Sequence, residues 1–146
     1  MSKLAFIFPG QGAQKAGMGK DFYENSEAAR SFFDNAQKIL DFDLKEMCFG
    51  EHEELNLTEY TQPCMVSVCL AIVQELKKRG ITPDITAGLS LGEYAAVAAA
   101  GGMNELDAIK LVRRRGILMQ STVPAGEGAM AAVLGLDAKK IEEILE

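Results

Sequence analysis

The sequence predicts an α/β fold built on parallel strands, and three observations carry that prediction. Leu4–Phe8 is an apolar run closed by Pro9 and Gly10, the pattern of a buried parallel strand entering a loop. Asp84–Leu89 is a second candidate strand, followed at once by Ser90 and a helix of small residues, so strand, tight turn and helix stand in direct succession. Between them Met65, Val66, Cys69, Ile72, Val73 and Leu76 recur with helical period, which predicts a buried helix.

The chain's 146 residues are 48% hydrophobic and 25% charged, a globular composition that excludes a disordered or collagen-like polymer. A chain of this length buries roughly 68–70% of its unfolded surface and needs no metal or disulfide staple. A net charge of −6 argues against nucleic acid or anionic membrane as a main partner. No run approaches the ~18 apolar residues of a membrane span, and Met1-Ser2-Lys3 leads into a strand instead of a signal peptide, so a cytoplasmic protein is expected. Cys48, Cys64 and Cys69 sit among apolar neighbours without metal-ligand spacing and read as buried free thiols, with no metal site expected.

The remaining elements follow in order. Gly10-Gln11-Gly12-Ala13-Gln14 is the loop after the first strand, and Asp21–Leu40 carries Phe22, Ala29, Phe33, Ala36 and Leu40 at helical spacing, as two helices broken near Asn25-Ser26. A short helix and an acidic loop fill Asp43–Thr58. Pro63 marks the first turn of the next helix, and Lys77-Lys78-Arg79-Gly80 gives it a basic last turn and a glycine stop. The helix after Ser90 runs from Leu91 to Ala100, and Asn104 caps another through Ser121. Ala129–Leu136 reads as a strand, with Asp137 capping a helix to Glu146. One strand and one helix cannot bury each other, so the tail is expected to open a second lobe and the chain to be a fragment, with 1–125 a partial main lobe and 126–146 the start of a small one.

Gly88-Leu89-Ser90-Leu91-Gly92 fits Gly-x-Ser-x-Gly in the strand-to-helix context that the chemistry requires. A nucleophilic serine must stand on a sharp turn with its hydroxyl exposed, and the flanking glycines let strand and helix approach. The Leu91 amide, at a helix start, is then a candidate donor to a developing oxyanion. The bland alternative is a tight turn with an incidental N-cap serine. The Gly10-Gln11-Gly12 loop fails both phosphate-binding patterns, since Lys15 stands where a dinucleotide site needs its third glycine and Met18 where a P-loop needs lysine. It leaves the Gln11 amide as a candidate second oxyanion donor. Arg115 falls on the apolar face of its helix with Ala108, Leu111, Val112 and Met119, so its guanidinium needs an anionic partner. A structural carboxylate or a substrate carboxylate would serve, and the helical wheel alone favours the former. His52 is the only histidine and lies in a charged loop, which leaves a nucleophile without its base.

Phe8-Pro9-Gly10-Gln11-Gly12-Ala13-Gln14, Thr61-Gln62-Pro63, Gly88-Leu89-Ser90-Leu91-Gly92-Glu93-Tyr94, Arg115-Gly116 and Gly128-Ala129-Met130-Ala131-Ala132, in that order, resemble the malonyl-CoA:acyl carrier protein transacylases of bacterial fatty acid synthesis. The resemblance covers the whole chain and matches the N-terminal half of that family. It implies an α/β-hydrolase-like large lobe carrying a smaller ferredoxin-like lobe, of which this chain holds the first strand and helix. It also implies that Ser90 attacks malonyl-CoA to give a malonyl-serine ester, which the phosphopantetheine thiol of acyl carrier protein then takes, without a cofactor. The amides of Gln11 and Leu91 would form the oxyanion hole, Arg115 would hold the malonyl carboxylate, and Gln62 would line the site. Leu89 stands where the family often has histidine. The family's catalytic histidine comes from a later segment that this sequence does not contain, so the 146-residue chain alone is expected to be inactive.

A serine hydrolase or thioesterase would share the elbow, and a catalytically incomplete fragment would have no activity of its own. A hydrolase has no special need for an arginine on a buried face, so Arg115 and the Gln11 loop favour transfer.

Overall fold

The computed structural model describes residues 3–123, 126–128 and 133–145. Strands β1 (Ala5–Phe8) and β2 (Ile85–Gly88) pair in parallel, Ala5 opposite Ile85 and Phe8 opposite Gly88. Parallel pairing brings both strands' C-terminal loops to the same edge, and the Leu89 amide donates to the Phe8 carbonyl across them at 3.1 Å. That edge holds Gln11 and Ser90. The strands are less buried than the apolar runs suggest. Phe6 and Phe8 join the core, but Ile7 is 79% exposed, because only one face of this two-stranded sheet is covered among the described residues.

Helices α1 (Lys20–Asn25) and α2 (Glu27–Gln37) break at Ser26, whose extended backbone frees its hydroxyl to accept from the Ala29 amide at 3.1 Å. α3 (Leu44–Phe49) is capped by Asp43, and a 3₁₀ turn follows at Glu53–Asn56. The central element is α4 (Thr58–Lys78), buried along Thr61–Val68 and packed against α2 and α6. It stops at a Schellman motif, with Gly80 at φ 73° and the Ile81 amide on the Leu76 carbonyl at 2.9 Å. α5 (Gly92–Ala99) and α6 (Glu105–Thr122) follow β2, and Asn104 caps α6 by accepting from Leu106 and Asp107.

Two expectations need correction. Pro63 is not in the first turn of its helix. α4 begins at Thr58, so Pro63 is an interior proline, and the Glu59 carbonyl that its N–H would have bonded accepts instead from Arg113 Nη1 at 2.8 Å. The strand expected at Ala129–Leu136 falls partly outside the described residues, at 129–132, and Val133–Leu136 carry no strand. The helix after Asp137 is present as α7 (Ala138–Leu145), with the Asp137 carboxylate accepting from the Lys139 amide at 2.9 Å.

Candidate active site

The elbow is fixed by sterics. A Cβ on Gly88 would lie 2.2 Å from the Gly92 carbonyl carbon, and one on Gly92 would lie 2.5 Å from the Phe8 carbonyl oxygen. These are backbone atoms that cannot yield, so both positions must be glycine for α5 to sit against the ends of β1 and β2. Ser90 between them has φ 55°, the only positive value at a non-glycine among the described residues. Such a conformation costs of order 1–2 kcal/mol for a side chain with a Cβ. The turn is held by Gly92 N–H on the Leu89 carbonyl at 2.9 Å and Glu93 N–H on the Ser90 carbonyl at 3.1 Å. The result is an exposed hydroxyl at the mouth of the turn.

Arg115 reaches this hydroxyl from α6. Its Nη2 donates to Ser90 Oγ at 3.1 Å and its Nη1 to Gln62 Oε1 at 2.7 Å, with the guanidinium 5.6 Å from the centre of the Tyr94 ring. Gln62 is fully buried, and its amide donates to Met119 Sδ at 3.3 Å. Gly116 makes this reach possible, since a Cβ there would stand 2.8 Å from both Glu59 Cα and the Thr58 carbonyl oxygen, and any larger residue would push α6 off α4. Among the described residues no carboxylate lies within ion-pair distance of Arg115. The structural carboxylate that the helical wheel favours is thus not found among the described residues. The guanidinium is held by two neutral groups, the Gln62 amide oxygen and the serine hydroxyl itself.

The Gln11 loop is anchored to the start of α4 and to the 3₁₀ turn before it. Gln11 Nε2 donates to Thr58 Oγ1 at 3.0 Å, and Gln14 Nε2 to Asn56 Oδ1 at 3.1 Å. Gly10 lies against Leu89, so the loop abuts the elbow. The backbone N–H groups of Gln11 and Leu91 have no hydrogen-bond partner among the described residues, while that of Gly12 is taken by Gln14 Oε1 at 2.7 Å.

His52 is not brought to Ser90. Its Nε2 pairs with Glu46 Oε1 at 3.0 Å beside the acidic loop. Cys48 and Cys64 are buried and Cys69 partly so, all three as free thiols. Hydrogen bonding with Cys64, then burial, pushes the Cys48 thiol well above its ordinary range, and burial pushes Cys69 up to about 11. An apolar groove of about 410 Å³ between β1 and α4, lined by Phe6, Phe8, Met65 and Leu76 among others, includes neither Ser90 nor Arg115. Two further residues contribute to the site: Tyr94, which follows the elbow in the sequence and lies under the Arg115 guanidinium, and Met119, which stands four residues beyond Arg115 on one helix face and accepts from Gln62.

Fold and site together define an α/β protein with a strained serine on a strand-to-helix elbow and a guanidinium on its hydroxyl. The chain belongs to the acyl transferase domain family, whose model matches residues 5–145. It is 50% identical over 147 residues to a Bacillus subtilis malonyl CoA-acyl carrier protein transacylase, covering 100% of this chain and 46% of that protein. The solved structure of the malonyl CoA-acyl carrier protein transacylase from Clostridium perfringens matches with a TM-score of 0.87 at 44% identity, over 98% of this chain and 46% of that one. A malonyl-transacylase in complex with its type II PKS acyl-carrier protein matches with a TM-score of 0.87 at 40% identity, over 97% and 47% of the two chains. The chain thus spans about half the length of the curated relatives it matches. No helix among the described residues is long and apolar enough to cross a membrane.

Proposed function

We propose that the full-length protein moves a malonyl group from malonyl-CoA to the phosphopantetheine thiol of acyl carrier protein, through a malonyl ester on Ser90. Ser90 Oγ attacks the thioester carbonyl, and the carbon–sulfur bond breaks to release CoA as the thiol. The carrier thiol then attacks the ester, the carbon–oxygen bond breaks, and the serine hydroxyl re-forms. The free N–H groups of Gln11 and Leu91 support their assignment as the oxyanion hole, where donors fixed before reaction stabilise charge that appears only in the transition state.

The observation that carries the reading is Arg115, a cation hydrogen-bonded to the nucleophile and to Gln62 with no carboxylate partner among the described residues. A substrate carboxylate would complete it, and malonyl has one where acetyl does not. Ser90 finds no base among the described residues, so the isolated 146-residue chain is inactive in this reading. No cofactor is required. The protein works in the cytoplasm, with residues 1–125 in an α/β-hydrolase-like lobe and 126–146 opening a smaller one. Mass spectrometry after incubation of the full-length protein with malonyl-CoA should find a malonyl adduct on the Ser90 peptide. An adduct that persists in Ser90→Ala would end the assignment.

A further inference from the structure

We propose that Arg113, which does not touch the serine, is a positioning residue that fixes the reach of Arg115 by repairing the gap Pro63 leaves in α4. The proposal rests on the malonyl-transfer reading. Proline has no N–H, so the Glu59 carbonyl loses its helical partner four residues on. Arg113 Nη1 donates to that carbonyl at 2.8 Å and to Glu59 Oε2 at 3.2 Å. Its Nε and Nη2 hold the two oxygens of Asp41, each at 2.9 Å. The guanidinium also lies 5.1 Å and 5.0 Å from the ring centres of Phe42 and Tyr60, with the side chain only 12% exposed. Each of the three nitrogens of this group has an acceptor, and lysine cannot reproduce the fork.

The two arginines straddle the contact between α4 and α6. At its centre Gly116 rests on the backbone of Thr58 and Glu59. Arg113 grips Glu59 from one side, and Arg115 grips Gln62, the neighbour of Pro63, from the other. Arg113 therefore sets the register of α6 on α4, and that register sets where Arg115 meets Ser90. A misplacement of about 1 Å at a reacting centre can cost on the order of 100-fold in rate, so a smaller slip is visible in kinetics before it is visible in folding.

The test compares malonyl-CoA and acetyl-CoA as donors for the full-length protein well below its Tm. Arg113→Met should lower the malonyl-to-acetyl ratio of kcat/KM about tenfold. Adding Pro63→Ala, which returns an N–H to the Glu59 carbonyl, should recover most of that ratio. Arg113→Lys, which keeps the charge and loses the fork, should give a smaller fall of the same kind and serves if the methionine variant does not fold. An unchanged ratio in a folded variant, an equal fall for both donors, or a double variant no better than the single one overturns the positioning role while malonyl loading of wild type stands. A wild-type protein that loads no malonyl group on Ser90 overturns the functional reading and this role with it.

Discussion

Replacing Arg115 by alanine separates a substrate clamp from a structural strut, because its partners are known. The substitution removes the donor at 2.7 Å from Gln62 Oε1 and the one at 3.1 Å from Ser90 Oγ. It also removes the bond proposed for the malonyl carboxylate. A charge-assisted hydrogen bond contributes about 1.5–3 kcal/mol, or ~10- to 150-fold in malonyl kcat/KM. Acetyl-CoA has no carboxylate to lose, and its transfer should hold steady or rise as the pocket becomes more apolar. A second effect runs in parallel. Gln62 is fully buried, and an acceptor left without its donor costs about 1–3 kcal/mol, or roughly 2–4 °C of Tm per kcal/mol for a domain of this size. The assay is both specificity constants, measured below the lowered Tm and beside a melting curve. A lowered Tm with an equal fall for malonyl and acetyl would show that Arg115 only props α6 on α4, and would refute the clamp.

Three further outcomes are expected. Gly88→Ala should destabilise the protein by about 3 kcal/mol or more in urea unfolding, since its Cβ meets backbone at 2.2 Å; a near-neutral value would mean the elbow is looser than described. Ser90→Gly should abolish acylation and yet raise stability by about 1 kcal/mol, because glycine relieves the positive φ; a loss of stability would show that the Arg115 bond outweighs the strain. The Ser26 hydroxyl and Arg79 hold Glu75 below its ordinary 4.5, and the Arg113 hydrogen bond holds Asp41 below 3.8. Both groups therefore stabilise the fold above those values, and the benefit is lost as pH falls through the depressed ones. Urea midpoints should drop more steeply from about pH 6 to about pH 3 in wild type than in Glu75→Gln, and parallel curves would contradict the linkage.

Local sterics explain what the amino-acid sequence by itself determined. Gly88, Ser90 and Gly92 act within five residues, and a strand closed by glycine, serine and glycine has few other ways to start a helix, so the elbow was readable. The breaks at Ser26 and Asn104 were readable for the same reason, each cap bonding an amide two or three residues on. Partners drawn from distant segments were not. The wheel turned Arg115 toward an apolar face but could not say that it meets Gln62, 53 residues away, and Ser90, 25 away, in place of a carboxylate. Pro63 looked like a helix start because nothing local shows that Arg113 stands ready to bond Glu59. β1 reads as a buried strand in the sequence because apolarity records what a strand can bury and not which neighbours cover it. Helix and turn signals are written in residues that touch within a turn or two, whereas the choice of a hydrogen-bond partner fifty residues away depends on how closely two helices pack, and at Gly116 only the tertiary structure decided that.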